Sequence, residues 1–219
     1  MAELVVDPIE RSSLVDVVRR RLIGLIQAGE LKPEDRIVES KLAQMLAVSR
    51  SPVREALRQL EQQGLVTSSV NRGYSVALLD ATDYRELTAI RIALEKVAVG
   101  ELTKAGLDAR AEARLRGLVA KMQSAAAEPV DLPGLTSLDS EFHEELSRLS
   151  GNSKLLAIWT SMEGQITLAL AANNRAFPGA DHFAERHQKL VEAILSGDQR
   201  RAEAAIEEHI MTGLEEQDL

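Results

Sequence analysis

The chain has no cysteine, which excludes disulfides and thiolate metal sites. Six aromatic residues among 219 are too few for a platform that stacks single-stranded bases, so a nucleic-acid partner would be read as duplex, through a groove. No window is expected to approach the ~18 apolar residues of a membrane span. The N-terminal MAELVVDPIERSS has early acids and no long apolar run, unlike a signal peptide. A soluble cytoplasmic protein is the expectation. Excess positive charge is also lacking, since the net charge is -8, which taken alone argues against nucleic acid. The acidity is unevenly divided, however: residues 1–79 hold 11 Lys/Arg against 10 Asp/Glu, and residues 80–219 hold 15 against 24.

What is present begins with Leu42 to Leu65, LAQMLAVSRSPVREALRQLEQQGL, which reads as two short helices broken at Ala47-Val48-Ser49. Leu42, Ala43 and Leu46 form the apolar side of the first. Val53, Ala56, Leu57 and Leu60 recur at helical spacing on the second. Ser49 and Ser51 are N-cap candidates, and Pro52 suits a first helical position because the amide it lacks would be unpaired there. Arg50, Arg54 and Arg58 share a face away from the apolar one. Arginines at the start of the second helix of a helix-turn-helix are placed to meet phosphates and base edges in a major groove. A solvated helical hairpin is the plainer alternative. Against it, Leu65 to Leu79, LVTSSVNRGYSVALL, has the β-branched content and central Asn71-Arg72-Gly73 turn of a two-stranded hairpin, so the unit reads as a winged helix with Arg72 at its tip.

Upstream, residues 1–10 are expected to be mobile. Ser12 or Ser13 can cap a helix to about Ala28, with Leu14, Val18, Leu22 and Leu25 on one side and Gly29 ending it. Arg36-Ile37-Val38 is a short extended piece, and Glu39 or Ser40 opens the helix-turn-helix. From Asp80 the pattern is helical, with six segments: Asp80 to Thr103, Asp108 to Ala127, Leu132 to Ser150, Ser153 to Asn174, Asp181 to Ser196 and Gln199 to Leu214. Breaks fall at Gly106, Pro129 with Pro133, Gly151-Asn152, Pro178-Gly179 and Gly197-Asp198. The expected class is mainly α. A winged helix-turn-helix over residues 1–79 precedes an all-helical bundle of six helices over residues 80–219, and the length suffices for two such cores.

AGELKPEDRIVESKLAQMLAVSRSPVREALRQLEQQGLV followed by NRGYSV closely resembles the N-terminal domain of the GntR family of bacterial transcription regulators, over about residues 11–79. That resemblance implies operator-DNA contacts by Arg36, by Ser49, Arg50, Ser51, Pro52 and Arg54, and by Arg72 and Gly73 of the wing. Arg58, one turn beyond Arg54, joins the same face.

Histidine is scarce, four in all, so each position can be weighed. Asp139 and His143 are four apart on one helical face, about 5–6 Å apart at Cβ. His187 and His209 are equidistant from residue 198, inside the Gly197-Asp198 turn, so an antiparallel hairpin sets them side by side. If the two pairs converge, three imidazoles and a carboxylate between helices suit a divalent ion, with zinc, nickel, cobalt or manganese as options and positions left for water or a ligand. His182 lies about 140° round the helix from His187 and is assigned to the surface. Each histidine taken singly is better explained as a satisfied core or surface residue, and it is the spacing on two separate elements that points to a metal. ELTAIRIALE, DSEFHEELSRLSGNSKL and the late histidines flanking GD further resemble the all-helical FCD effector domain of FadR-like members of the family. The resemblance to its metal-binding branch implies that Asp139, His143, His187 and His209 hold an ion. The fatty-acyl branch lacks this set.

Arg91 falls inside the stripe set by Leu87, Leu94 and Ala98, where an unpaired charge is costly. Either it forks onto the carboxylate of a small organic acid whose other oxygens reach the metal, or it pairs internally with Glu95. Gln165 and Asn173 lie near the inward face of their helix and either line the same pocket or serve as structural amides. The implied function is a homodimeric regulator, in the family's usual sign a repressor, reading a short palindromic operator and controlled by such an acid: lactate, a sugar acid, citrate or an amino acid. Two alternatives stand beside it. One is a metal-dependent hydrolase or oxygenase using the His/Asp set, although no nucleophile or oxyanion motif accompanies it. The other is a metal sensor with no organic effector.

Overall fold

The computed structural model describes residues 12–69, 73–127, 129–176 and 182–215. The expected N-terminal arm, residues 1–10, and the tip residues Asn71 and Arg72 lie outside them. Helix α1, Ser12–Gln27, buries Val18, Leu22 and Ile26, three residues four apart and hence on one stripe. The stripe turns slightly from the expected one: Leu14 is exposed and Leu25 only half-buried, because Ile26 takes the core position at the end of the helix. Gly29 then adopts φ +73, where the missing Cβ lets the chain reverse.

Strand β1, Arg36–Ile37, leads into α2, Glu39–Met45, and α3, Arg50–Gln62. Their apolar residues Leu42, Ala43, Val53, Ala56, Leu57 and Leu60 are all buried. At ~1.5–3 kcal/mol for each large side chain taken from water, this pairing is ample to hold two helices too short to persist alone. The N-cap of α3 is Ser49, without a side-chain cap bond. Ser51 is inside the helix, and Pro52 is its third residue rather than its first. The fit survives the shift, because none of the first four helical amides has a partner within the helix.

Strands β2, Val66–Ser69, and β3, Gly73–Val76, form an antiparallel hairpin with Val66 opposite Val76 and Ser69 opposite Gly73. Strand β1 adds to the far side of β3, giving the order β1-β3-β2. Gly73 sits at φ +78, a conformation a Cβ would strain. Three helices and a three-stranded wing thus share one core.

The chain passes straight from β3 into α4, Ala81–Ala105, whose first turn is fastened by a reciprocal capping box between Asp80 and Asp83. Helices α5, Ala109–Ala126, α6, Leu132–Leu149, α7, Ser153–Ala176, α8, Phe183–Leu195, and α9, Gln199–Glu215, complete a bundle of six helices among the described residues. Its core runs from Val99 and Leu102 through Leu115, Met122, Phe142 and Leu146 to Val191, Ile194 and Ile206.

Helix α7 corrects one expectation. Ser153–Ala172 reaches a mean hydropathy of 1.3 over 20 residues, enough by length and composition to cross a membrane. Protein covers its key apolar side chains instead: Trp159 and Ile166 pack with Leu87, and Leu168 enters the winged-helix core. That last contact joins the two halves. Gly164 makes it possible, since a Cβ there would stand 2.2 Å from the Gln63 carbonyl oxygen. Gln63 in turn donates from Nε2 to Glu163 at 2.9 Å.

Candidate DNA-reading face and candidate metal centre

The N-terminal end of α3 presents Ser49, Arg50, Ser51 and Arg54 to solvent, with Pro52 half-buried and Arg58 exposed one turn on. The first turn carries no acid, so the positive end of the helix dipole and its free amides stand open to an anion. Arg54 is not idle: its guanidinium bonds Glu39 at the start of α2, at 3.0 Å. Arg58 lies 3.7 Å from Glu55. Both pairs are exposed and cheap to exchange for phosphate. Arg36 stands opposite Ser75 on the sheet, and Arg36 and Gly73 line one cleft of about 380 Å³ with Ser69 and Tyr74. Arg72 is outside the described residues.

Deeper in the bundle, α6 contributes Asp139 and His143, α8 contributes His187 and α9 contributes His209. Each offers one ligand atom, and the four atoms lie within 4.8 Å of one another. The hairpin of α8 and α9 brings the His187 and His209 ring centroids to 4.5 Å, and α6 closes the third side with the His143 centroid 5.1 Å from that of His209. Asp139, His143 and His187 are buried. His182 is exposed beside Glu185.

The protons test the fit to a cation. His187 Nδ1 lies 2.8 Å from the Phe183 carbonyl oxygen, which can only accept, so Nδ1 carries a proton. In the neutral ring Nε2 therefore presents a lone pair, and it stands 2.7 Å from an Asp139 oxygen. His143 Nδ1 is bonded to Glu95, so its Nε2 also faces inward, 3.2 Å from His209 Nε2. Acceptors aimed at acceptors demand a cation or a proton between them. Burial opposes charge on Asp139, but the two imidazoles beside it hold its carboxyl well below the usual range. Burial likewise opposes a charged His143, yet Glu95 and Asp139 outweigh it and raise its pKa to about 9. Burial, His187 and His143 together hold His209 well below 6.5. The set thus keeps one anion and concentrates positive charge on His143, a proton that an entering ion would displace. Three nitrogens and one oxygen of this kind suit zinc, nickel, cobalt or manganese.

Arg91 is buried, and its Nε bonds Glu95 at 3.1 Å, so of the two options left open by the sequence the internal pair is formed. Gln165 does not face the cluster: its Cγ is 2.7 Å from where a Cβ of Gly64 would stand, so it packs at the junction of the two halves. The side chain of Asn173 is outside the described residues. Sequence reasoning missed Glu95 as a partner of His143. The available signal was a second charge, one turn from Arg91, on the same buried stripe.

Comparison with known proteins gives two family matches. Residues 14–76 match the bacterial regulatory proteins of the gntR family, and residues 86–212 match the FCD domain. The chain is 32% identical over 200 residues, covering 91% of itself and 87% of its relative, to a probable D-xylose utilization operon transcriptional repressor of Paenarthrobacter nicotinovorans. It is 27% identical to the gluconate operon transcriptional repressor of Bacillus licheniformis, covering 83% of itself and 74% of that protein. Among solved structures, McbR/YncC of E. coli superposes with a TM-score of 0.78 at 24% identity, over 92% of this chain and 95% of that one, a likeness of fold.

Proposed function

This chain belongs to the GntR family of bacterial transcription regulators and carries an FCD domain, and from that premise we propose that a small carboxylate held at a divalent metal in the helical bundle controls its grip on operator DNA. The single observation that carries the effector half is the convergence of Asp139, His143, His187 and His209 from three helices. Residues 1–79 are the DNA-reading half and residues 80–219 the effector half. Arg36, Ser49, Arg50, Ser51, Pro52, Arg54, Arg58, Arg72 and Gly73 form the reading face. The protein acts in the cytoplasm as a repressor and a homodimer, with one winged helix on each half of a short palindrome.

Asp139, His143, His187 and His209 would hold the ion, zinc foremost, and an ion that widens its coordination beyond these four would supply Lewis acidity toward the oxygens of the acid. Arg91 is the counter-cation that meets the acid's carboxylate, and to do so its guanidinium turns from Glu95. One relative is named for a gluconate operon, and gluconate is a hydroxy acid of the class these groups suit. The bundle reaches the reading head through α4 leading out of the wing, through α7 packed against Gln63 and Gly64, and through α1 lying against α6 and α7. An acid that favours one packing of these helices shifts operator affinity by its differential binding and no more.

The test is metal analysis of the purified protein, followed by thermal-shift screening of the metal-loaded form against small carboxylic acids. A binding acid at a hundred times its Kd stabilises by about 2.7 kcal/mol. An ion present, a positive acid and altered operator affinity in its presence support the reading. Operator affinity that follows metal alone favours a metal sensor instead.

A further inference from the structure

We propose that Glu95 is a positioning residue of the metal cluster: it fixes His143 with Nδ1 protonated and Nε2 turned inward as the donor, and Arg91 holds it to that task. The inference rests on the metal reading above and extends it to a residue on a helix that supplies none of the four ligands. Glu95 is fully buried, at 0% exposure. Its two oxygens serve different partners, Oε1 accepting from Arg91 Nε at 3.1 Å and Oε2 bonded to His143 Nδ1. A carboxylate accepts from Nδ1–H and leaves the other ring nitrogen free. That nitrogen is the one 3.2 Å from His209 Nε2 and 3.7 Å from Asp139.

The comparison with His187 shows what is particular to this arrangement. His187 is oriented by Phe183 four residues back on its own helix, a carbonyl that cannot move without opening the first turn of α8. His143 is oriented across the bundle by a side chain of α4, the helix that leaves the wing at the Asp80 cap. Of these two oriented imidazoles, His143 is therefore the adjustable one. The groups that adjust it, Arg91 and Glu95, lie on the element joined directly to the DNA-reading half. A carboxylate ligand that draws Arg91 from Glu95 loosens the orientation of His143, so acid and ion are linked through Glu95, and by reciprocity each alters the affinity of the other.

The experiment uses the full chain, stripped and reloaded with zinc or cobalt(II), with affinity read by competition against a chromophoric chelator. Glu95→Gln is expected to weaken metal affinity 10–100-fold, the range for an outer partner of a ligating histidine, at unchanged stoichiometry and with a shifted cobalt(II) visible spectrum. A merely structural glutamate would lower thermal stability and leave the spectrum of the folded protein alone. Should Glu95→Gln not fold, nitrogen-15 NMR of the zinc-loaded wild type decides: Nδ1–H with metal-bonded Nε2 at His143 supports the proposal, and metal on Nδ1 overturns it. Equal affinity and an identical spectrum in Glu95→Gln overturn this inference alone. Failure of the wild type to take up either ion overturns the metal reading itself, and this inference with it.

Discussion

Substituting Gly164 by alanine should uncouple the two halves of the protein without touching either site. The added Cβ would stand 2.2 Å from the Gln63 carbonyl oxygen, 2.8 Å from its carbon and 2.9 Å from the Leu65 nitrogen. All three are backbone atoms that no rotamer change can clear. Ordinary contact begins near 3.4 Å, so the end of α3 must withdraw from α7 by about 1.2 Å, in a setting as densely packed as an organic crystal. Overpacking of this kind costs ~1–3 kcal/mol, and the stretched Gln63–Glu163 hydrogen bond adds ~1 kcal/mol. Alanine's better helix propensity returns ~1 kcal/mol to α7 whether or not the head is docked, so it cancels from the docking equilibrium. A weakening of about 2–4 kcal/mol lowers the docked population relative to the undocked by roughly thirtyfold to a thousandfold. Hydrogen exchange at the Leu65 amide, which bonds the Leu60 carbonyl at 2.9 Å, should quicken, while operator binding and metal content persist. The response of operator affinity to effector should fall at least tenfold. Unchanged exchange together with an undiminished response would refute the assignment of this contact as a coupling route.

Arg54→Ala should abolish specific operator binding with helicity and dimerisation intact, and retained specific binding in a mobility-shift assay would remove α3 from the reading face. Glu39→Gln frees Arg54 from its exposed partner, so duplex affinity at low salt should rise modestly, as befits an exposed pair, and the gain should shrink as salt is added. His187→Ala should reduce metal retention and effector response while sparing operator binding by the resting protein; an unchanged metal content would remove His187 from the ligand set. Glu163 is raised above its ordinary pKa of 4.5 by burial and by Glu144, against the pull of Arg19. The folded chain thus holds this proton more tightly than the unfolded one, a contribution present below pH 4.5 and lost as pH rises through the folded value. Glu163→Gln should flatten that decline in urea unfolding followed upward from pH 4.5, and an identical pH profile would contradict it.

Much of this protein was legible in its residues, because the signals that make a helix or a hairpin are local. The stripe Val53, Ala56, Leu57, Leu60, the Gly73 turn and the Gly106 and Gly197 stops act within one or two turns of chain, and the elements formed close to where they fall. Even the meeting of His187 and His209 was readable, since distance from a shared turn is a sequence quantity once an antiparallel hairpin is assumed. What the residues could not disclose depends on contacts between segments far apart in the chain. Glu95 lies 48 residues from His143, so no periodicity tells whether it answers Arg91 alone or the histidine as well. Helical phase turns Gln165 inward, yet helix phase does not say which neighbour a face meets, and packing against Gly64 decided that. Local chemistry set the parts and the shared turns, while the docking of α4 and α7 decided which buried charges found one another and how the reading head is held.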